Sequence, residues 1–277
     1  MVGLKKGGVL FSAGLSFLAL TVLNLATTSV YYEGCVHDSV IDSVYIKRMS
    51  IRQDFVGEDL RLLFTELSGL EVEVGDDFVL FGESIPNPQL SAYQGAIDRY
   101  INFSRLKSPD VVLDLDKLRN NLSLVVEPQD MEYIHDYSEV STLIVRPSKL
   151  NFVGYNVSVD AVLNLSDCVS DVAEGNKSLL LDVDFGDGDC VKSFYVDPSK
   201  SSSVYLNNGS LRVDVVEGGV LRIIVDLPNV VNVTTRIYLT KSHSNLTYVY
   251  LPHNTLHWIS QEYNMSGSAR IRINDNG

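Results

Sequence analysis

The chain has 277 residues with 22 Lys+Arg against 35 Asp+Glu, a formal charge of −13. Its 45% hydrophobic and 21% charged content excludes a disordered or collagen-like polymer and predicts a folded body. A pI near 4.7 without a Lys/Arg cluster excludes nucleic acid as a partner, since phosphate binding needs a basic footprint that releases counterions.

In chain order, the first element is a stretch from Gly8 to Val30 that contains no charged residue and follows Lys5 and Lys6. At 1.5 Å per helical residue it is long enough for a hydrocarbon core of about 30 Å, so residues 8–30 are expected to form a transmembrane helix in a lipid bilayer. The lysines before it, and Glu33, Asp38 and Asp42 after it, place residues 1–7 in the cytoplasm and the rest outside the cell membrane, as a single-pass protein. A cleaved secretory signal is the competing reading, although its apolar region is normally shorter. From Ile41 to Leu67 apolar residues recur at three- and four-residue steps, which predicts an amphipathic stalk helix over 35–69 with Gly69 as its stop. Such a stripe is covered either by the protein's own body or by self-association of stalks.

Lys5-Lys6-Gly7-Gly8 before a long apolar segment, the continuation Asp59-Leu60-Arg61-Leu62-Leu63-Phe64 and a β-rich remainder resemble archaeal type IV pilin-like proteins and related single-pass exported surface proteins. The resemblance covers the first 70 residues or so and implies processing next to Gly7 or Gly8 and a filament subunit.

Residues 70–119 read as a helical or mixed connector. Within it, Asn87-Pro88 marks a helix start, with Leu90, Tyr93, Ile97 and Ile101 on one face. The segment from Asp110 to Asn121 fits a short helix or a strand. From 120 to 277 the period is two. Val157, Val159, Ala161, Leu163 and Leu165 alternate with mostly polar residues, and further alternating runs at 179–185, 211–215 and 221–227 are separated by Asp187-Gly188, Asn208-Gly209 and Gly218-Gly219. Such turns supply the positive φ of tight hairpins, so the expected class is mainly β, an antiparallel β-sandwich behind the N-terminal transmembrane and stalk helix.

Nine Asn-x-Ser/Thr sequons, at Asn102, Asn121, Asn156, Asn164, Asn176, Asn208, Asn232, Asn245 and Asn264, exceed the roughly 2.6 that composition predicts by chance. They are expected glycosylation sites, with Asn156, Asn164 and Asn232 on the wet face of strands. Cys168 and Cys190 flank a predicted strand and form a candidate disulfide, while Cys35 is left over.

Asp182, Asp184, Asp187 and Asp189 could offer oxygens to Ca²⁺, but Asp187 falls where the helix-loop-helix calcium loop requires glycine and Ser193 where it requires a bidentate Glu. A strand face and a turn account for the same letters. The local string Asp184-Phe185-Gly186-Asp187-Gly188 also resembles the turn of polycystic-kidney-disease-type sandwich domains. His253 and His257 are four apart in a turn-like context with no third metal ligand evident, and the single Trp258 fits core better than a sugar-stacking platform. No nucleophile elbow, zincin helix or phosphate loop occurs, so no catalytic residue, metal or cofactor is assigned. The expectation is a membrane-anchored, N-glycosylated cell-surface protein of structural or adhesive role and not an enzyme. A pilin-like subunit is one alternative, an extracellular carbohydrate-binding module or hydrolase the other.

Overall fold

The computed structural model describes residues 20–29, 43–44, 46–48, 50–51, 54–107, 111–137, 141–160, 168–186, 190–206, 209–240, 247–260 and 265–273. The chain divides into two compact units, Met1–Arg52 and Gln53–Gly277. In the first unit the described residues are helical. Leu20, Val22, Leu23 and Leu25 are exposed, and the Thr27 and Thr28 hydroxyls donate back to the Asn24 carbonyl at 3.0 and 2.6 Å.

The membrane anchor is corrected here. Among the described residues no helix is long and apolar enough to cross a membrane. Residues 20–29 of the expected 8–30 span are helical and include Thr21, Asn24, Thr27 and Thr28. Residues 8–19 and Val30 lie outside the described residues, as does Cys35. The bilayer partner, the single-pass topology and the extracytoplasmic placement inferred from it fall with the anchor.

The second unit is mixed α/β with two sheets. One has six strands in the order β1 (Glu71–Val74), β2 (Phe78–Ile85), β14 (Val231–Leu239), β7 (Phe152–Asp160), β9 (Leu179–Phe185) and β10 (Cys190–Val196). The other runs β16 (Met265–Arg272), β15 (Tyr248–Ser260), β4 (Asn121–Glu127), β5 (Met131–Asp136), β6 (Thr142–Pro147), β13 (Val220–Val225), β12 (Leu211–Val216), β11 (Ser202–Leu206) and β8 (Cys168–Asp171), with β3 (Val111–Asp114) also paired to β15. The expected all-antiparallel sandwich is corrected at one place, because β7 and β9 pair in parallel. Sheet strands also begin at Glu71, inside the segment read as a connector.

The stalk is corrected too. The helical residues 54–67 turn Leu60 and Phe64 into the core of the second unit, where both are essentially inaccessible, while Phe55 and Leu62 stay exposed. This helix ends where Ser68 N–H donates to the Phe64 carbonyl at 2.9 Å and Gly69 takes a φ of 68°, a conformation that glycine adopts without Cβ strain. The stripe is thus covered by the protein's own body at Leu60 and Phe64, while Val44 and Phe55 stay exposed.

Asn87 begins the helix Leu90–Lys107, its Oδ1 accepting from the Gln89 N–H at 2.8 Å. Tyr93, Ile97 and Ile101 form its buried face, and the Tyr93 hydroxyl donates to the Leu118 carbonyl at 3.0 Å on the short 3₁₀ turn Asp116–Arg119. Apolar side chains from both sheets make the core. Val79, Phe81 and Ile85 on β2, Val157 and Val159 on β7, and Val233 and Ile237 on β14 contribute from the six-stranded sheet. Leu122, Leu124, Tyr133, Leu143, Val213 and Ile223 contribute from the other, and Phe81 stacks on Tyr133 with ring centroids 4.1 Å apart. Cys168 on β8 and Cys190 on β10 are joined, their Cα atoms 6.2 Å apart. These strands are the terminal strands of the two sheets, so the bond ties one sheet edge to the other.

Candidate functional site

Two features stand out from a body otherwise built by alternation. One is a polar group inside the core. On β2 the inward row is Val79, Phe81, Glu83 and Ile85, so Glu83 is buried at 3% exposure by the same period that buries its neighbours. His135, at 1% exposure, approaches from β5, and its Nδ1 is hydrogen-bonded to Glu83 Oε2. Tyr137 lies against the His135 ring at 4.3 Å between centroids and against Tyr93 at 5.7 Å. Burial, and secondarily the Glu83 charge, pushes the phenols of Tyr93, Tyr133 and Tyr137 well above the ordinary tyrosine range. Glu83 Oε1, His135 Nε2, the Tyr133 hydroxyl and Thr235 Oγ1 have no hydrogen-bond partner among the described residues. An acid and an imidazole here could exchange a proton, but Leu122 and Leu143 flank His135 across the strands and Val233 flanks Glu83, all inaccessible to solvent. The node therefore joins the two sheets and offers no route to a substrate.

The second feature is the outer face of the six-stranded sheet. Even-numbered residues of β2, β9 and β14 and odd-numbered residues of β10 point outward, and the strand registers align them in rows. One row runs Phe78, Tyr238, Gly154, Leu180 and Tyr195 across β2, β14, β7, β9 and β10. Four strand spacings of about 4.8 Å make it about 19 Å wide. Tyr195 is 64% exposed, while Phe78, Leu180 and Tyr238 are half-buried. The Arg236 guanidinium lies 4.4 Å from the Phe78 ring centroid, a cation–π contact that fixes the ring beside the row. Gly154 leaves the row flat at its middle; a Cβ there would collide with the Leu180 backbone.

The next rows are acidic. Glu73, Leu80, Arg236, Asn156, Asp182 and Ser193 form one, and Glu71, Gly82, Thr234, Ser158, Asp184 and Val191 another, with Asp160 beyond them. Five carboxylates thus share this face with one guanidinium. Asp182 accepts from the Ser193 hydroxyl at 2.5 Å.

The residues singled out by sequence distribute as follows. Asp182 and Asp184 lie on the outer face, whereas Asp187 and Asp189 lie outside the described residues. Among the described residues no group of three or more His, Cys, Asp or Glu is arranged to hold a metal. Asn102, Asn176 and Asn232 are exposed; Asn121 and Asn156 are half-buried; Asn164, Asn208, Asn245 and Asn264 lie outside the described residues. Asn232 Oδ1 accepts from the Ser84 hydroxyl at 2.9 Å. The backbone of His253, His257 and Trp258 belongs to β15, where a turn was expected around Pro252 and Asn254; their side chains lie outside the described residues. An open groove of about 510 Å³ lies among Leu150, Asn176, Lys177, Asp197, Pro198 and Glu217. Its Asp197 is engaged by Ser199 and Lys200, and the Ser199 hydrogen bonds hold its carboxyl below the usual range.

Sequence reasoning missed Glu83, His135 and the aromatic row. Glu83 was legible as a carboxylate on the apolar parity of 79, 81 and 85. The row was not, because it is assembled from five strands whose order no local pattern carries.

Comparison with known proteins finds no matching family model, no matching curated protein and no matching solved structure. The resemblance to archaeal pilin-like and exported surface proteins is therefore withdrawn, as neither a match nor a long apolar helix among the described residues supports it. The membrane-anchored surface role falls with the anchor, and no comparison supports adhesion, a filament or a carbohydrate-binding or hydrolytic role.

Proposed function

We propose that this chain works by recognition and not by catalysis, and that the outer face of the six-stranded sheet docks a cationic protein partner. The observation that carries the reading is the sharing of one face by a row of apolar and aromatic side chains and five carboxylates. Aromatic anchors in a flat, partly exposed patch supply most of the contact energy of protein interfaces. A surrounding field of one sign speeds encounter with a partner of the other and excludes like-charged competitors. The net charge of −13 extends the same field over the molecule. The buried acid–base pair gives no competing catalytic reading, since apolar residues wall it in.

Titrating the full chain with a fluorescent lysine-rich peptide that carries two aromatic residues tests the proposal. Tyr238→Ser leaves the charge unchanged and is expected to weaken binding about tenfold, equivalent to about 1.4 kcal/mol. Asp226→Asn, exposed just after β13 on the other sheet, is expected to change it little. Equal affinity for wild type and Tyr238→Ser, with loss tracking total charge alone, would sink the proposal.

A further inference from the structure

We infer that the partner meets this face as an extended segment laid along β9, in which an aromatic residue is followed by lysines two and four places on. The inference rests on the docking role proposed above and adds the partner's conformation and register. The outward side chains of β9 form one file, Leu180, Asp182 and Asp184, about 6.7 Å apart because every second residue of a strand faces the same way. The strands on either side keep the same order. β10 sets Tyr195 beside Leu180, Ser193 beside Asp182 and Val191 beside Asp184, and β7 sets Gly154, Asn156 and Ser158 against the same three residues. One end of the file is therefore apolar, with Leu180 between Tyr195 and Gly154, and the rest is anionic. The Ser193 hydroxyl holds the Asp182 carboxylate in place, and Asp160, exposed at the end of β7, carries the negative field past Asp184.

Spacing selects the partner's conformation. In an extended chain, residues i, i+2 and i+4 point the same way at the same interval of about 6.7 Å, so three successive contacts form without distortion. A helix offers i, i+4 and i+8 at steps of about 6 Å, but each step turns by about 40° and swings the third side chain about 80° off the face. Charge selects the file. Glu73 and Glu71 make a second acidic pair on β1, four strand spacings or about 19 Å from β9. At the end of that pair the Phe78 ring packs on Gly75 and carries the Arg236 guanidinium, whose charge opposes an arriving lysine. Beside β9 the nearest cation in sequence register, Lys192 opposite Val183, has the parity of the other face. The aromatic residue of the partner then rests on Leu180 and Tyr195, and its lysines reach Asp182 and Asp184 in turn.

Two fluorescent peptides of equal length and composition, with Ser and Thr as spacers, test this against the full chain by titration. One has the order Phe-x-Lys-x-Lys, the other Phe-x-x-x-Lys-x-x-x-Lys. The first is expected to bind about fivefold tighter. A mutant cycle then reads the register. Asp182→Asn is expected to weaken the first peptide about threefold, an effect that disappears when the lysine nearer its Phe is replaced by Gln. Asp184→Asn is expected to show the same dependence on the farther lysine. The comparison of the two peptides uses wild type alone, so it decides even if a variant fails to fold. Binding of neither peptide removes the docking role and this inference with it. Equal binding of both, or losses from Asp182→Asn and Asp184→Asn that do not depend on which lysine is present, leaves a docking face but overturns the extended register.

Discussion

Glu83 and His135 form a hydrogen-bonded pair in a core where the cross-strand neighbours Val233, Leu122 and Leu143 are apolar. Removing one partner leaves the other buried and uncompensated, which costs about 3–5 kcal/mol. Replacing both by apolar groups removes two desolvation penalties as well as the bond. Urea unfolding should therefore show Glu83→Leu and His135→Leu each strongly destabilised, and the double variant well above the sum of the two losses. Additive losses would mean that the pair is not coupled. The buried tyrosines set a second expectation. Burial raises the folded-state pKa of Tyr93, Tyr133, Tyr137 and Tyr155 above their unfolded value near 10. The folded chain then holds protons that the unfolded chain releases, so this contribution is fully present below about pH 10 and declines as pH rises past it. Each such tyrosine removes up to about 1.4 kcal/mol per pH unit. Chemical unfolding between pH 8 and 11 checks this; stability that rises over that range would contradict it. At this scale the sequence is half legible. Glu83 betrays itself by parity, but nothing local identifies His135 as its partner 52 positions away.

Elements were readable where a local rule suffices. Asn87-Pro88 marks the helix that Tyr93, Ile97 and Ile101 bury, and the alternation at 179–185 and 221–227 corresponds to strands β9 and β13. β1 and β2 were missed because Glu71-Val72-Glu73-Val74 is short and Phe78-Val79-Leu80-Phe81 is apolar on both faces, which hides a period of two. The parallel pairing of β7 with β9 was hidden for another reason. Periodicity reports which face of a strand is buried and says nothing of its neighbour or direction. Gly154 sits at that parallel contact, and a Cβ there would collide with Leu180. Gly154→Ala is thus expected to destabilise by about 1–3 kcal/mol, as overpacking does, whereas Gly95→Ala on the helix Leu90–Lys107 meets open space and should stabilise slightly. Paired thermal melts of the two variants check the contrast, and equal shifts would refute it.

For the whole molecule, the apolar N-terminal pattern misled because composition alone cannot separate a membrane span from other helical sequence. Among the described residues no helix is long and apolar enough for a crossing, and the amphipathic stripe after residue 40 is partly spent on the body's own core at Leu60 and Phe64. What organises the surface is the six-stranded sheet, which presents its acidic and aromatic rows as a unit. Hydrogen exchange of the full chain with and without the lysine-rich aromatic peptide tests that most directly. Protection concentrated on β9, β10 and β14 is the predicted result. Protection spread evenly over the acidic surface, or confined to the other sheet, would contradict it.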